Sequence, residues 1–183
     1  MERSRGERGC NGEGDAERFD RDSAPRLRED LVPLTVLGPD AVAYVRTQAS
    51  IFFSDGTPRS FQCAQQLVAQ LVALGVSEVF VSRSERWWAV GSLDRDWFLA
   101  GLPVESQFQR ILPLPEMAPN ASRAEILLLA FADDVAVLSG DELRVLAGTE
   151  PPTDFARRAQ AKAPTRVIFF RFPATDAVQD GGT

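Results

Sequence analysis

The sequence predicts an α+β fold: a single domain with a mixed, largely antiparallel sheet and packed helices, preceded by a disordered tail. Three observations lead there. Apolar residues at helical spacing alternate irregularly with short β-branched and aromatic runs, in the order β-β-α-β-β-α-β-α-β-α-α-β, which mixes hairpins with helical crossovers. The chain has 183 residues, 44% hydrophobic and 25% charged, a size and composition that suit one core. Residues 1–30 are dominated by Arg, Glu, Asp and Gly and hold too few apolar side chains to offset the entropy of ordering them. The expected organisation is a tail over 1–30, the domain over 31–173 and a polar tail over 174–183.

Strands are expected at Val32 to Leu37 and at Val42 to Phe53, separated by Gly38-Pro39. Pro33 suits an edge or a strand start, because proline has no amide hydrogen to give a ladder, and the second strand should break near Gln48. The turn Ser54-Asp55-Gly56-Thr57-Pro58 leads to a helix from Ser60 to Leu74, capped by Ser60 and ended at Gly75. Its core stripe is read as Phe61, Ala64, Leu67, Val68, Leu71 and Val72. The other side holds Gln62, Gln65, Gln66 and Gln70 without one charge, so it either packs under another element or forms a contact, including a homo-oligomer contact. Val76 to Val81 reads as a strand buried on both faces. Ser82 to Arg86 is a hairpin loop into a strand from Trp87 to Val90, where the adjacent Trp87 and Trp88 must point to opposite faces. A short helix capped by Asp94 runs to Leu99, and a strand from Gln107 to Leu112 stops at Pro113.

Arg123 to Gly148 contains the longest apolar run. Ser122 and Glu125 have the spacing of a capping box, and Ala124, Leu127, Leu128, Phe131, Ala132 and Val135 recur at helical spacing. The reading is a helix to Ala132 and then a strand from Val135 to Leu138, with a hairpin over the same residues as the alternative. Phe131-Ala132-Asp133-Asp134 between apolar runs resembles the catalytic hairpin of reverse transcriptases, where a tight turn presents two aspartates to Mg²⁺. The resemblance implies phosphoryl or nucleotidyl transfer by clustered aspartates, with Asp55 as the upstream partner of Asp133 and Asp134. It covers about a dozen residues, and the Gln-Gly and Ser-Pro segments which that family places between the two sites are absent. Asp141 is expected to cap a turn to Ala147, Asp154 to start a helix to Ala163, and Arg166 to Phe172 to form the last strand.

The 20 basic and 26 acidic residues give a formal charge of −6, a sign that repels phosphate backbones, so nucleic acid is not an expected partner. Only Lys162 is lysine, which reads as a coding bias towards Arg. Ile126 to Ala132 is far shorter than the roughly 18 apolar residues of a membrane span, and residues 1–30 hold no apolar signal segment, so no membrane partner is expected. Cys10 and Cys63 make no disulfide framework, which suits a reducing cytoplasm. With no histidine, Ser-His-Asp and Cys-His sets and His-based zinc sites are excluded within the chain, and no phosphate loop, dinucleotide fingerprint or nucleophile elbow is present. No cofactor is expected. The expected function is a non-enzymatic protein-binding module such as an immunity protein, an inhibitor or a secretion-chaperone-like adaptor, with the Mg²⁺ enzyme as the alternative. Trp and Arg most often carry interface energy, so the expected contact patch is one outward Trp of the pair Trp87 and Trp88, with Arg83, Arg86, Asp94, Arg95 and Trp97. Deleting Met1 to Arg28 should leave the melting temperature within a few degrees of the full chain; a larger fall would show that the tail contributes to the fold.

Overall fold

The structure, a computed structural model, describes residues 41–174. The tail over 1–30, the strand expected from Val32 to Leu37, Cys10 and residues 175–183 lie outside the described residues. The described chain begins with two helices, α1 (Ala41–Thr47) and α2 (Ala49–Phe52), where a long strand had been expected from Val42 to Phe53. Ala41 and Val45 explain the difference: four residues apart, they share one helical face and are both fully buried. The expected break near Gln48 is present as the junction between the two helices.

α3 (Ser60–Ala73) matches the expected helix, with Arg59 in place of Ser60 at the N-cap. Gly75, at φ +76°, ends it in a Schellman motif: the Val76 amide donates to Leu71 O at 3.0 Å and the Gly75 amide to Val72 O at 3.0 Å. The buried stripe is Ser60, Cys63, Ala64, Leu67, Gln70 and Leu71. Phe61 and Val72, expected in the core, are 46% and 61% exposed, because the helix is rolled so that Gln70 enters the interior in their place.

Five strands follow: β1 (Val79–Ser84), β2 (Trp87–Ser92), β3 (Asp134–Ser139), β4 (Glu142–Ala147) and β5 (Arg166–Arg171). They form one antiparallel sheet in the order β1-β2-β5-β3-β4. β1 is therefore an edge strand, and not the strand buried on both faces that Val76 to Val81 suggested. The fold is α+β. The first five helices cover one face of the sheet, with Leu67, Leu71, Leu127, Val90, Ile168 and Phe170 in that core. α6 (Thr153–Gln160) covers the other face, where Phe155 and Ala159 meet Trp87, Ala89, Leu138 and Phe169.

Three more expectations change. Asp94 to Leu99 is not helical, because the Asp94 carboxylate accepts from the distant Ser77 amide at 3.0 Å and cannot cap its own turn. Gln107 belongs to a short helix, α4 (Val104–Phe108), and its Oε1 accepts the Leu99 amide at 2.9 Å. Asp141 lies in the β3–β4 hairpin beside Gly140, at φ +58°, and β4 replaces the capped turn that had been expected. α5 (Glu125–Phe131) leads into β3 as expected, so the hairpin alternative over these residues is not the one adopted.

Candidate functional site

The polar residues drawn furthest into the core gather where α5 begins. The capping box does not form; Ala124 is the N-cap, without a side-chain cap, and Glu125 is fully buried. Gln70, arriving from α3, takes over the cap. Its Oε1 accepts the Ala124 amide at 2.7 Å, and its Nε2 donates to Glu125 Oε1 at 2.6 Å. Trp97 Nε1 donates to the same carboxylate oxygen at 3.3 Å, and Arg123 Nη1 lies 3.6 Å from it. Arg123 Nη2 donates to Trp97 O at 2.9 Å. Glu125 Oε2 has no hydrogen-bond partner among the described residues. Burial pushes the Glu125 carboxyl above its usual range, against the opposing pull of Arg123 and of the Gln70 and Trp97 hydrogen bonds. The cluster joins α3, α5 and the loop after β2, and it is sealed from solvent, so it serves the fold. Gln70 could have been found in the sequence, because it falls on the helical spacing of Cys63 and Leu67; Arg123 carries no such signal.

The expected Trp and Arg patch does not assemble around an outward ring. Trp87, Trp88 and Trp97 are all buried. Trp87 packs on the α6 side with the Arg171 guanidinium 5.4 Å from its ring centre. Trp88 points to the other side, under Phe61 and Arg83. The pair does diverge, but β2 lies inside a sheet covered on both faces, so both directions lead into a core. Arg83 and Arg86 lie at the hairpin end of β2, where Arg86 donates to Phe172 O. Asp94 and Arg95 lie at its other end, about 20 Å away for a strand of this length. Ser77, through its hydroxyl and its amide, holds the Asp94 carboxyl far below the usual range, and Arg95 donates to Leu74 O at 3.1 Å at the end of α3.

The three aspartates of the metal alternative do not converge on one point. Asp134 is ion-paired with Arg171 and accepts from the Thr149 amide at 2.7 Å and hydroxyl at 2.8 Å. Burial works to raise its carboxyl, but the Arg171 and Thr149 hydrogen bonds outweigh it and hold the group low. Asp133 is exposed, and its amide donates to Arg171 O at 2.9 Å. Asp55 accepts the Thr57 amide at 3.0 Å and pairs with Arg59. Among the described residues no three His, Cys, Asp or Glu side chains converge on a point where they could hold a metal ion.

The outer side of α3 is the surface that stands out. Phe61, Gln65, Val68 and Val72 follow one another at i, i+4, i+7 and i+11, beside Gln62, Gln66 and Ala69, and no residue from Ser60 to Ser77 is charged. Val81 of β1, 46% exposed, flanks one side, and Ile51 and Met117, 64% and 51% exposed, stand on the other. Beside the helix run two recesses, of about 320 and 340 Å³, which share Phe52, Gln66 and Met117. Gln66 Nε2 donates to Phe52 O at 3.0 Å within this groove. No protein-family model, curated protein or solved structure matches the chain, so the functional reading rests on this geometry.

Two outcomes follow. Trp87→Ala and Trp88→Ala should each cost about 3–5 kcal/mol in denaturant unfolding, because each opens a cavity in a different core; an unchanged midpoint for either would show that its ring is not core. Glu125→Gln keeps an acceptor for Gln70 and Trp97 and removes the charge. Because the folded carboxyl is raised above its ordinary 4.5, the wild type loses stability as pH rises from that value through the raised one, and the variant does not. The melting temperature of Glu125→Gln relative to wild type should therefore climb between pH 4 and 8; a flat difference would show that Glu125 ionisation is not linked to folding.

Proposed function

We propose that the chain is a non-enzymatic protein-binding module, of the kind that an immunity protein, an inhibitor or a secretion-chaperone-like adaptor represents, and that it binds through the outer face of α3. The observation that carries this reading is the grouping of exposed apolar side chains. Of the large exposed hydrophobics, Ile51, Phe61, Val72, Val81 and Met117 lie on or beside this one helix. A solvated helix of 14 residues ordinarily presents charges to water, and this one presents none. Desolvating the face strips no ion of its water, and covering it removes apolar area from solvent. The contact does not run through the tryptophans, which are already in use as core. The magnesium alternative draws no support from Asp55, Asp133 and Asp134, which among the described residues do not converge with a third ligand on one point. Cytoplasm is the proposed compartment, in keeping with Cys63 seated in the core as a packing residue. Nucleic acid is not the proposed partner, since residues 60–77 offer no cation to a phosphate and the β1 flank adds Arg83 alone.

A photo-crosslinking residue at Gln65 should yield protein adducts in cells of the source organism, and the same residue at Arg157 on α6 should yield none. Val72→Arg should weaken binding at least about tenfold, which is about 1.4 kcal/mol, with melting nearly unchanged. Adducts from Arg157 alone would place the contact on the opposite side of the sheet and overturn the assignment.

A further inference from the structure

Resting on that reading of α3, we infer that the partner arrives as an extended segment of another polypeptide, paired to the outer edge of β1 as a further strand, with alternate apolar side chains against the flank of α3. Among the described residues β1 is paired with β2 alone, so one side of its six-residue backbone, about 20 Å long, offers amides and carbonyls to another strand. The two edges of the sheet differ. At the β4 edge Arg144 is paired with Glu105 of α4 at 2.8 Å and with Glu142 at 2.7 Å, and the β3–β4 register shifts between Val135 and Ala136. Charge and irregularity of this kind keep another strand away. β1 carries Arg83 as its only charged residue, and Val81 in its middle is 46% exposed.

The register fixes which side chains an added strand would meet. Val79, Val81 and Arg83 lie opposite Ser92, Val90 and Trp88, and Val90 and Trp88 point into the core under α3, so these three residues of β1 face the α3 side. On α3, Phe61, Val68 and Val72 share the flank next to β1: the Phe61 and Trp88 ring centres are 6.2 Å apart, and steps of seven and four residues return to the same side of a helix. Sheet edge and helix flank thus form an apolar corner. A strand laid along β1 turns every second side chain towards that flank and the others towards the α6 side.

Hydrogen-bond chemistry selects the occupant. A helix or a compact surface seated in the corner covers the apolar side chains but leaves the outer amides and carbonyls of β1 desolvated without partners, whereas an extended chain satisfies both. Charge narrows the segment further. Because residues 60–77 are uncharged, a charged side chain turned towards α3 loses water and gains no counter-ion from the helix, so the inward positions must be neutral. The recognised segment is therefore about as long as β1, apolar at i, i+2 and i+4, with its other positions unconstrained. Backbone pairing supplies the affinity and the apolar flank the selectivity.

Phage-displayed random dodecapeptides selected on the purified full chain should enrich sequences with apolar residues at alternate positions. A selected peptide should slow amide exchange at alternate residues of Val79–Ser84. Methylating its backbone nitrogens at every second residue should abolish binding in one phase and spare it in the other. Val81→Lys and, as a second variant, Val72→Arg should weaken binding at least about tenfold, with circular dichroism spectra like that of the wild type, and Val145→Lys on β4 should leave binding unchanged. Enriched peptides with apolar residues at helical spacing, or binding that survives both phases of methylation, would overturn the strand and leave α3 as the contact face. No enrichment, binding indifferent to both Val81→Lys and Val72→Arg, or amides already protected throughout β1 in the unliganded chain would also overturn the inference. The reading of α3 would then stand or fall separately, on the Gln65 photo-crosslinker.

Discussion

The fold depends on β5. It is the last strand in sequence and the middle strand of the sheet, paired on one side with β2 and on the other with β3. The hairpins β1-β2 and β3-β4 share no other ladder. Val167, Ile168, Phe169 and Phe170 are all fully buried; Ile168 and Phe170 enter the core under α3 and α5, while Val167 and Phe169 enter the core under α6. Both ends of the strand are fastened. Arg166 makes a bidentate pair with Asp96 at 2.8 and 2.6 Å and lies over the Phe98 ring, and Arg171 pairs with the buried Asp134. The Asp96 pair is partly exposed and contributes little, whereas loss of either partner at Asp134 would strand a group within the fold.

With the sheet closed, α3 is fixed from within. Gln70 reaches the start of α5, Arg95 donates to the carbonyl of Leu74, and the Schellman turn at Gly75 sets the direction of β1. These contacts engage the inner side and the end of the helix and leave the outer side neutral and apolar. A rigid helix presenting such a face loses little conformational freedom on binding, which is what a docking surface requires. The same inward Gln70 that holds the helix explains why Phe61 and Val72 are turned out: the buried stripe was drawn round to include a polar residue that has work to do inside.

Local signals made much of the fold legible. Helical spacing and a glycine gave α3 and its end; an apolar run followed by β-branched residues gave α5 and β3; Asp154 and the final apolar run gave α6 and β5. The uncharged side of α3 was visible as a run without charges. The acidic motif was visible too, but its meaning was not, because whether two aspartates meet a metal or an arginine depends on what the chain brings beside them, and here Arg171 of the neighbouring strand β5 and Thr149 of the loop after β4 reach Asp134.

What the sequence determined by itself was therefore the set of elements whose backbone preference and periodicity agree: an α+β chain, its main helices and its central strands. The tertiary structure decided the rest, because burial depends on what covers each face. Residues 42–53 carry side chains suited to either state and became helical when Ala41 and Val45 found the core. The capping box gave way to Gln70, since a buried carboxylate with partners on three segments excludes the local cap. Trp87 and Trp88 diverge as any adjacent strand residues must, and both became core because helices cover both faces of β2.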